Sequence, residues 1–149
     1  MTKFRRLYTY PALVIALAAF IFLSFNIHSR SGKSWKSAIY SDKAGYYIYL
    51  PATIIYGFNV DEFPAKIDSI TGNGFKLNTS KNKIFTKYPA GVSILQLPFF
   101  LVTHSLAKPL GFKNDGFSLI YYRMVNIAAI SYLFAGMFML FFFLRSYFN

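Results

Sequence analysis

The chain has 149 residues with 55% hydrophobic, 21% aromatic and only 14% charged side chains, and a formal net charge of +11. Soluble domains carry about 25% charge, and disordered chains are polar and poor in aromatics, so composition excludes disorder and argues for a membrane protein. There is no cysteine, which excludes disulfides and thiolate metal sites.

In chain order, residues 1–6 form a basic start holding Lys3, Arg5 and Arg6, and residues 7–27 are free of charge. A helix needs roughly 20 apolar residues to cross the hydrocarbon core, so this run is long enough to span. Tyr8 and Tyr10 fall at interfacial depth, and Pro11 lies near the helix start, where its missing N–H costs least. A cleaved signal peptide also has a basic start and an apolar stretch. Phe25-Asn26-Ile27-His28 offers no small-x-small cleavage site, which favours an uncleaved transmembrane helix.

Residues 28–120 read as a long loop. Its first element is a Tyr-rich helical segment near 44–58, preceded by Ser41 and Asp42. Asp42, at the edge of aromatic surface, has two readings: a general base, or a helix cap shared with Ser41. The polar run 71–83 reads as an exposed loop, with Gly72-Asn73-Gly74 as a turn and Asn78-Thr79-Ser80 matching the N-glycosylation pattern. Pro89 is placed to open a second helix near 89–107, with Lys87 just before its N-terminus. Lys87 is either a phosphate site beside free backbone N–H groups or an interfacial anchor. Ser93, Gln96, Thr103, His104 and Lys108 fall on one helical face as a polar stripe, and Pro98 interrupts the ladder. Those features predict a helix lying in the interface, apolar side down, rather than a span.

The second span is predicted over residues 121–144, with the charge-free run Met124–Leu144 closed by Arg123 and Arg145. Ala128, Ala129, Ala135 and Gly136 offer a close-packing face for partner membrane helices. Residues 145–149 end the chain. The predicted fold class is therefore all-α integral membrane: two transmembrane helices flanking a loop with amphipathic juxtamembrane helices.

All five acids and twelve of the sixteen Lys and Arg residues lie between the two apolar runs. The basic residues are scattered rather than clustered, which argues against nucleic acid and for membrane lipid as the partner. Placing Lys3, Arg5, Arg6 and Arg145 inside puts the loop outside the cytoplasm. No Cys/His/carboxylate set with metal-ligand spacing, P-loop or dinucleotide-binding turn is present, so neither metal nor cofactor is expected.

The segments Ser41-Asp-Lys-Ala-Gly-Tyr-Tyr-Ile-Tyr-Leu-Pro-Ala52 and Lys87-Tyr-Pro-Ala-Gly-Val-Ser-Ile-Leu-Gln-Leu-Pro-Phe-Phe100, set between two spans, resemble the N-terminal portion of GT-C-type membrane glycosyltransferases. That superfamily includes the protein O-mannosyltransferases and the aminoarabinose transferase of lipid A, and the likeness is to a Bacteroidetes-type branch. The resemblance covers nearly the whole chain but only the first part of such an enzyme. It implies sugar transfer from a polyprenyl-phosphate donor at the periplasmic face of a bacterial inner membrane. Asp42 would deprotonate the acceptor, and Lys87 would lie near the donor phosphate, with Tyr46 and Tyr47 on the substrate side. Two departures are present: Tyr88 stands where the basic-Pro-Pro motif has its first proline, and Lys43 follows the acid where the family often has a second acid. The expectation is an N-terminal fragment of a glycosyltransferase-like protein, inactive alone. The alternative is a small two-span protein or subunit whose basic loop binds lipid or a partner.

Overall fold

The computed structural model describes residue 11, residues 14–23, residue 26 and residues 34–148. Within the predicted first span, Val14–Leu23 is an apolar helix, α1, and the remainder of that span, residues 7–10, 12, 13, 24, 25 and 27, lies outside the described residues. So do the basic start at 1–6 and residues 28–33 of the loop. The helices that follow are α2 (Asp42–Tyr47), α3 (Tyr49–Ile54), α4 (Ile67–Thr71), α5 (Gly91–Ala107) and α6 (Leu119–Tyr147). Two three-residue strands, β1 (Lys76–Asn78) and β2 (Lys83–Phe85), pair antiparallel with Leu77 opposite Ile84.

α6 is the axis of the molecule. Its 29 residues contain no proline and no acid. It is the one helix among the described residues long and apolar enough to cross a membrane. At 1.5 Å per residue it reaches about 43 Å, more than the roughly 30 Å of a hydrocarbon core. Its first turns are packed into the protein: Tyr121, Tyr122, Met124 and Ala128 are buried. From Leu133 onward its large apolar side chains are exposed, Met139 at 73%, apart from the half-buried Phe134. α1 meets this exposed half through an edge-to-face contact of Phe20 with Phe134 at 6.5 Å.

α5 lies antiparallel against α6, Phe99 meeting Tyr132 and Phe100 meeting Tyr121. Its polar stripe faces the protein except at Lys108, which is exposed. Ser93, Phe100 and Ala107 are buried at a spacing of seven, and the stripe residues Gln96, Thr103 and His104 are partly buried on that side. The exposed face is apolar, with Ile94 at 67% and Val102 at 61%. Two of the stripe's polar groups have protein partners, Ser93 donating to the Tyr46 carbonyl and His104 meeting the Tyr121 hydroxyl, while the buried Gln96 Oε1 has none among the described residues.

The Tyr-rich segment forms two short helices rather than one. Ile48 separates α2 from α3, and Gly57 and Phe58, both at positive φ, turn the chain away after Ile55. Tyrosine hydroxyls then fasten this layer to the rest. Tyr47 donates to the Gly116 carbonyl at 2.6 Å, Tyr56 to the Asp115 carbonyl at 2.7 Å and Tyr49 to the Tyr88 carbonyl at 2.6 Å. A loop carbonyl taken from water must find a donor, and a tyrosine supplies one together with a large apolar body. Each such bond contributes about 1 kcal/mol net, whereas an orphaned carbonyl costs more.

The run 71–83, predicted as open loop, contains most of the hairpin. Asn78 accepts from the Lys81 backbone N–H at 3.0 Å, and Asn82 adopts the left-handed conformation that closes the turn. Asn82 also accepts from the Val60 N–H at 2.8 Å, tying the hairpin to the loop before α4. The fold is thus mostly helical with one small hairpin, not all-α.

Candidate functional site

Two segments distant in sequence, one holding Asp42 and Tyr46 and the other Lys87 and Tyr88, meet at the N-terminus of α2. Asp42 is its first residue and is exposed. Its carboxylate accepts a hydrogen bond from the Tyr88 hydroxyl, 46 positions away. The Tyr88 ring lies 4.5 Å from that of Tyr46, and the Lys87 ammonium sits 5.2 Å from the Tyr88 ring centroid. A cation near an aromatic face is attracted by the ring quadrupole. The site is therefore a short chain of carboxylate, phenol and ammonium along one surface.

The helix-cap reading of this region is not what the structure holds. Ser41 makes no capping hydrogen bond and has φ of 54°, while its N–H donates to the Thr71 carbonyl at 2.7 Å. With the carboxylate engaged by Tyr88, Asp42 is held by a tertiary contact rather than by its own helix.

Two glycines make that contact possible. A Cβ on Gly45 would run into the Tyr88 ring and the Gly74 carbonyl. A Cβ on Gly74 would strike the Ser41 carbonyl and come within 2.8 Å of the Gly45 nitrogen. Gly72-Asn73-Gly74, a simple turn by sequence, is thus the floor on which the α2 N-terminus rests. Thr86 adds a clasp: its hydroxyl donates to the Gly45 carbonyl at 3.0 Å and accepts from the Tyr88 N–H at 3.3 Å.

The electrostatics follow from these contacts. The Tyr88 phenol is raised above its ordinary value, first by its hydrogen bond to Asp42, and so remains a donor. Lys87 is raised by its contact with the Tyr88 side chain and next by the charges around it, Asp42 among them, and so remains a cation. Beside Lys87 lies a shallow depression of about 410 Å³, whose lining includes Lys76, Lys87, Thr86 and Gly74. Two ammonium groups on one open depression make it attractive to an anion such as a phosphate.

Of the sequence-predicted site residues, Asp42, Lys87 and Tyr46 are brought together. Tyr47 is not. It belongs to the core, is 1% exposed, packs edge-on against Phe117 at 6.1 Å and uses its hydroxyl on Gly116. Burial pushes its phenol well above the usual value. A group with no free surface and a committed hydroxyl is a strut of the core, so the substrate-side role expected for Tyr47 is corrected. Sequence reasoning missed Tyr88, Lys76 and the glycine floor. The readable signal was a pair of glycines, Gly45 and Gly74, each close in sequence to a residue of interest. Among the described residues no group of three or more potential metal ligands is assembled.

No protein-family model, curated protein or solved structure matches this chain.

Proposed function

We propose that this chain is the N-terminal portion of a membrane glycosyltransferase-like protein that takes sugar from a polyprenyl-phosphate donor, and that it does not catalyse transfer alone. The observation that carries the reading is the meeting of Asp42, Tyr88 and Lys87 at one exposed site beside a basic depression. In the transfer step the acceptor O–H gives its proton to Asp42 while its oxygen attacks the anomeric carbon. The bond from that carbon to the donor phosphate breaks, and polyprenyl phosphate leaves with the electron pair. Lys87, with Lys76 nearby, stabilises the negative charge on the leaving phosphate. Tyr88 holds the carboxylate in place until an acceptor hydroxyl replaces its own.

The test uses the native polypeptide in membranes, supplied with radiolabelled polyprenyl-phosphate sugar. Asp42→Asn should lower transfer by about 10²–10⁴, the range for a general base, with membrane insertion unchanged. Tyr88→Phe should leave transfer measurable, because Asp42 keeps its charge. Unchanged transfer in Asp42→Asn removes that residue from the mechanism. If transfer instead follows Lys81 and Lys83 neutralisation and ignores Asp42, the lipid- or partner-binding loop is the better account.

A further inference from the structure

A second concave feature lies away from the Asp42 site, along the C-terminal half of α5. It is a groove of about 820 Å³ between α5 and α6, walled by Phe99, Val102 and Leu106 on one side and Met124 and Ile127 on the other. Its volume is in the range of sites that enclose small ligands, about 300–1,000 Å³. Arg123 is the one charged residue lining it, and Thr103 adds a hydroxyl. No carboxylate forms an ion pair with Arg123 among the described residues, although every acid of the chain is described. A fixed cation at the rim of an apolar trough calls for an amphiphile with an anionic head.

The position of Arg123 sharpens this. Twenty-one charge-free residues separate it from Arg145. At 1.5 Å per residue that segment covers about 32 Å, the thickness of a hydrocarbon core, so Arg123 falls at headgroup level when α6 spans. From there Met124 and Ile127 continue the groove toward the hydrocarbon. Basic pockets between membrane helices hold anionic lipid headgroups by this same combination of charge and depth.

We infer that the α5–α6 groove is a binding site for one anionic glycerophospholipid, its phosphate at Arg123 and an acyl chain along Val102, Phe99 and Ile127. The site is independent of the Asp42 reading and survives if that reading fails.

The test reconstitutes the full chain in nanodiscs holding equal parts phosphatidylglycerol and phosphatidylcholine with matched acyl chains. Retained lipid is then counted by native mass spectrometry. The wild type should retain phosphatidylglycerol over phosphatidylcholine by about fivefold, the worth of one basic residue near an anionic surface. Arg123→Gln should abolish the preference while some lipid is still retained, and Val102→Trp should displace both lipids by filling the groove. Circular dichroism matched to wild type confirms that both variants are folded. Absence of a preference in the wild type, or a preference unchanged in Arg123→Gln, overturns the proposal. A dimer that shields the groove in either lipid also overturns it, because a second copy is then the occupant.

Discussion

At the scale of single residues, the site depends on atoms that are absent as much as on those present. Gly45 has the Tyr88 ring and the Gly74 carbonyl where a side chain would begin, so a methyl group there has nowhere to go. Gly45→Ala should cost about 1–3 kcal/mol, the range for overpacking a filled space, and should part Tyr88 from Asp42. Gly91 is the control. It begins α5, and open space of at least 4 Å surrounds the point its methyl group would occupy, so Gly91→Ala should be neutral or slightly stabilising. Thermal unfolding of the two variants in the same detergent checks the contrast, and equal melting temperatures would mean that the Tyr88 contact is loose. Tyr47 and Tyr88 show how one residue type serves two ends. Both donate through the hydroxyl, but Tyr47 does so to a buried carbonyl and Tyr88 to an exposed carboxylate. Composition reports only that tyrosine is abundant, since the partner of each hydroxyl is set by tertiary contact.

Between elements, the α5–α6 contact carries a closed hydrogen-bond cycle. The Asn114 amide nitrogen lies 3.2 Å from His104 Nε2, the Tyr121 hydroxyl lies 2.8 Å from Nδ1, and that hydroxyl donates to Asn114 Oδ1 at 2.7 Å. The cycle is satisfied when Nε2 accepts and Nδ1–H donates, which is neutral histidine with its proton assigned by the network. Protonating Nε2 would set two donors face to face. His104 is lowered from its ordinary value of 6.5, first by burial and then by the Lys108 charge. A depressed histidine gives stability that is present above the unfolded value and lost as pH falls through the folded one. The melting temperature should therefore drop on acidification from neutrality through the mildly acidic range, and His104→Gln should flatten that part of the profile. A profile of identical slope in the variant would assign the acid sensitivity elsewhere. The sequence made α5 and α6 legible to within a few residues, because long charge-free runs bounded by Pro89, Arg123 and Arg145 have few other outcomes. The facing of α5 was hidden, since a polar stripe looks the same whether its partners are water or protein. The hairpin was hidden as well: three-residue strands are too short to show alternation, and Asn78, Asn82 and the lysines read as turn.

For the whole molecule, the decisive contrast is between its two ends. The buried residues lie in the 3-10 turn Ser34–Ile39, in the stretch from α2 to α4, at Phe75 and Phe117, in α5 and in the first turns of α6, while most of the rest of α6 and α1 present bare apolar surface. In water such a surface would be a liability far larger than the patches soluble monomers expose. In a bilayer it is matched to its solvent. The two settings give opposite answers for one substitution. Leu133, 49% exposed, lies close to the middle of the segment between Arg123 and Arg145. In a membrane Leu133→Arg should oppose insertion by about 2.5–3.5 kcal/mol, the cost of a charge at a helix centre. In water the same exposed change should lie within about ±0.5 kcal/mol and improve solubility. Phe148, 84% exposed beyond the end of α6, fixes the depth dependence, because Phe148→Arg lies outside the apolar segment and should insert as the wild type does. The chain has no cysteine, so a single cysteine at Asn149→Cys or at Ser80→Cys, probed with a membrane-impermeant maleimide, reads the outcome even while the run at residues 7–27 anchors the protein. In wild type and Phe148→Arg the two cysteines should be labelled from opposite sides of the membrane, while in Leu133→Arg a large share should be labelled from the same side. Labelling from the same side in all three would mean that α6 does not cross the bilayer, and its apolar face would then need a protein to cover it.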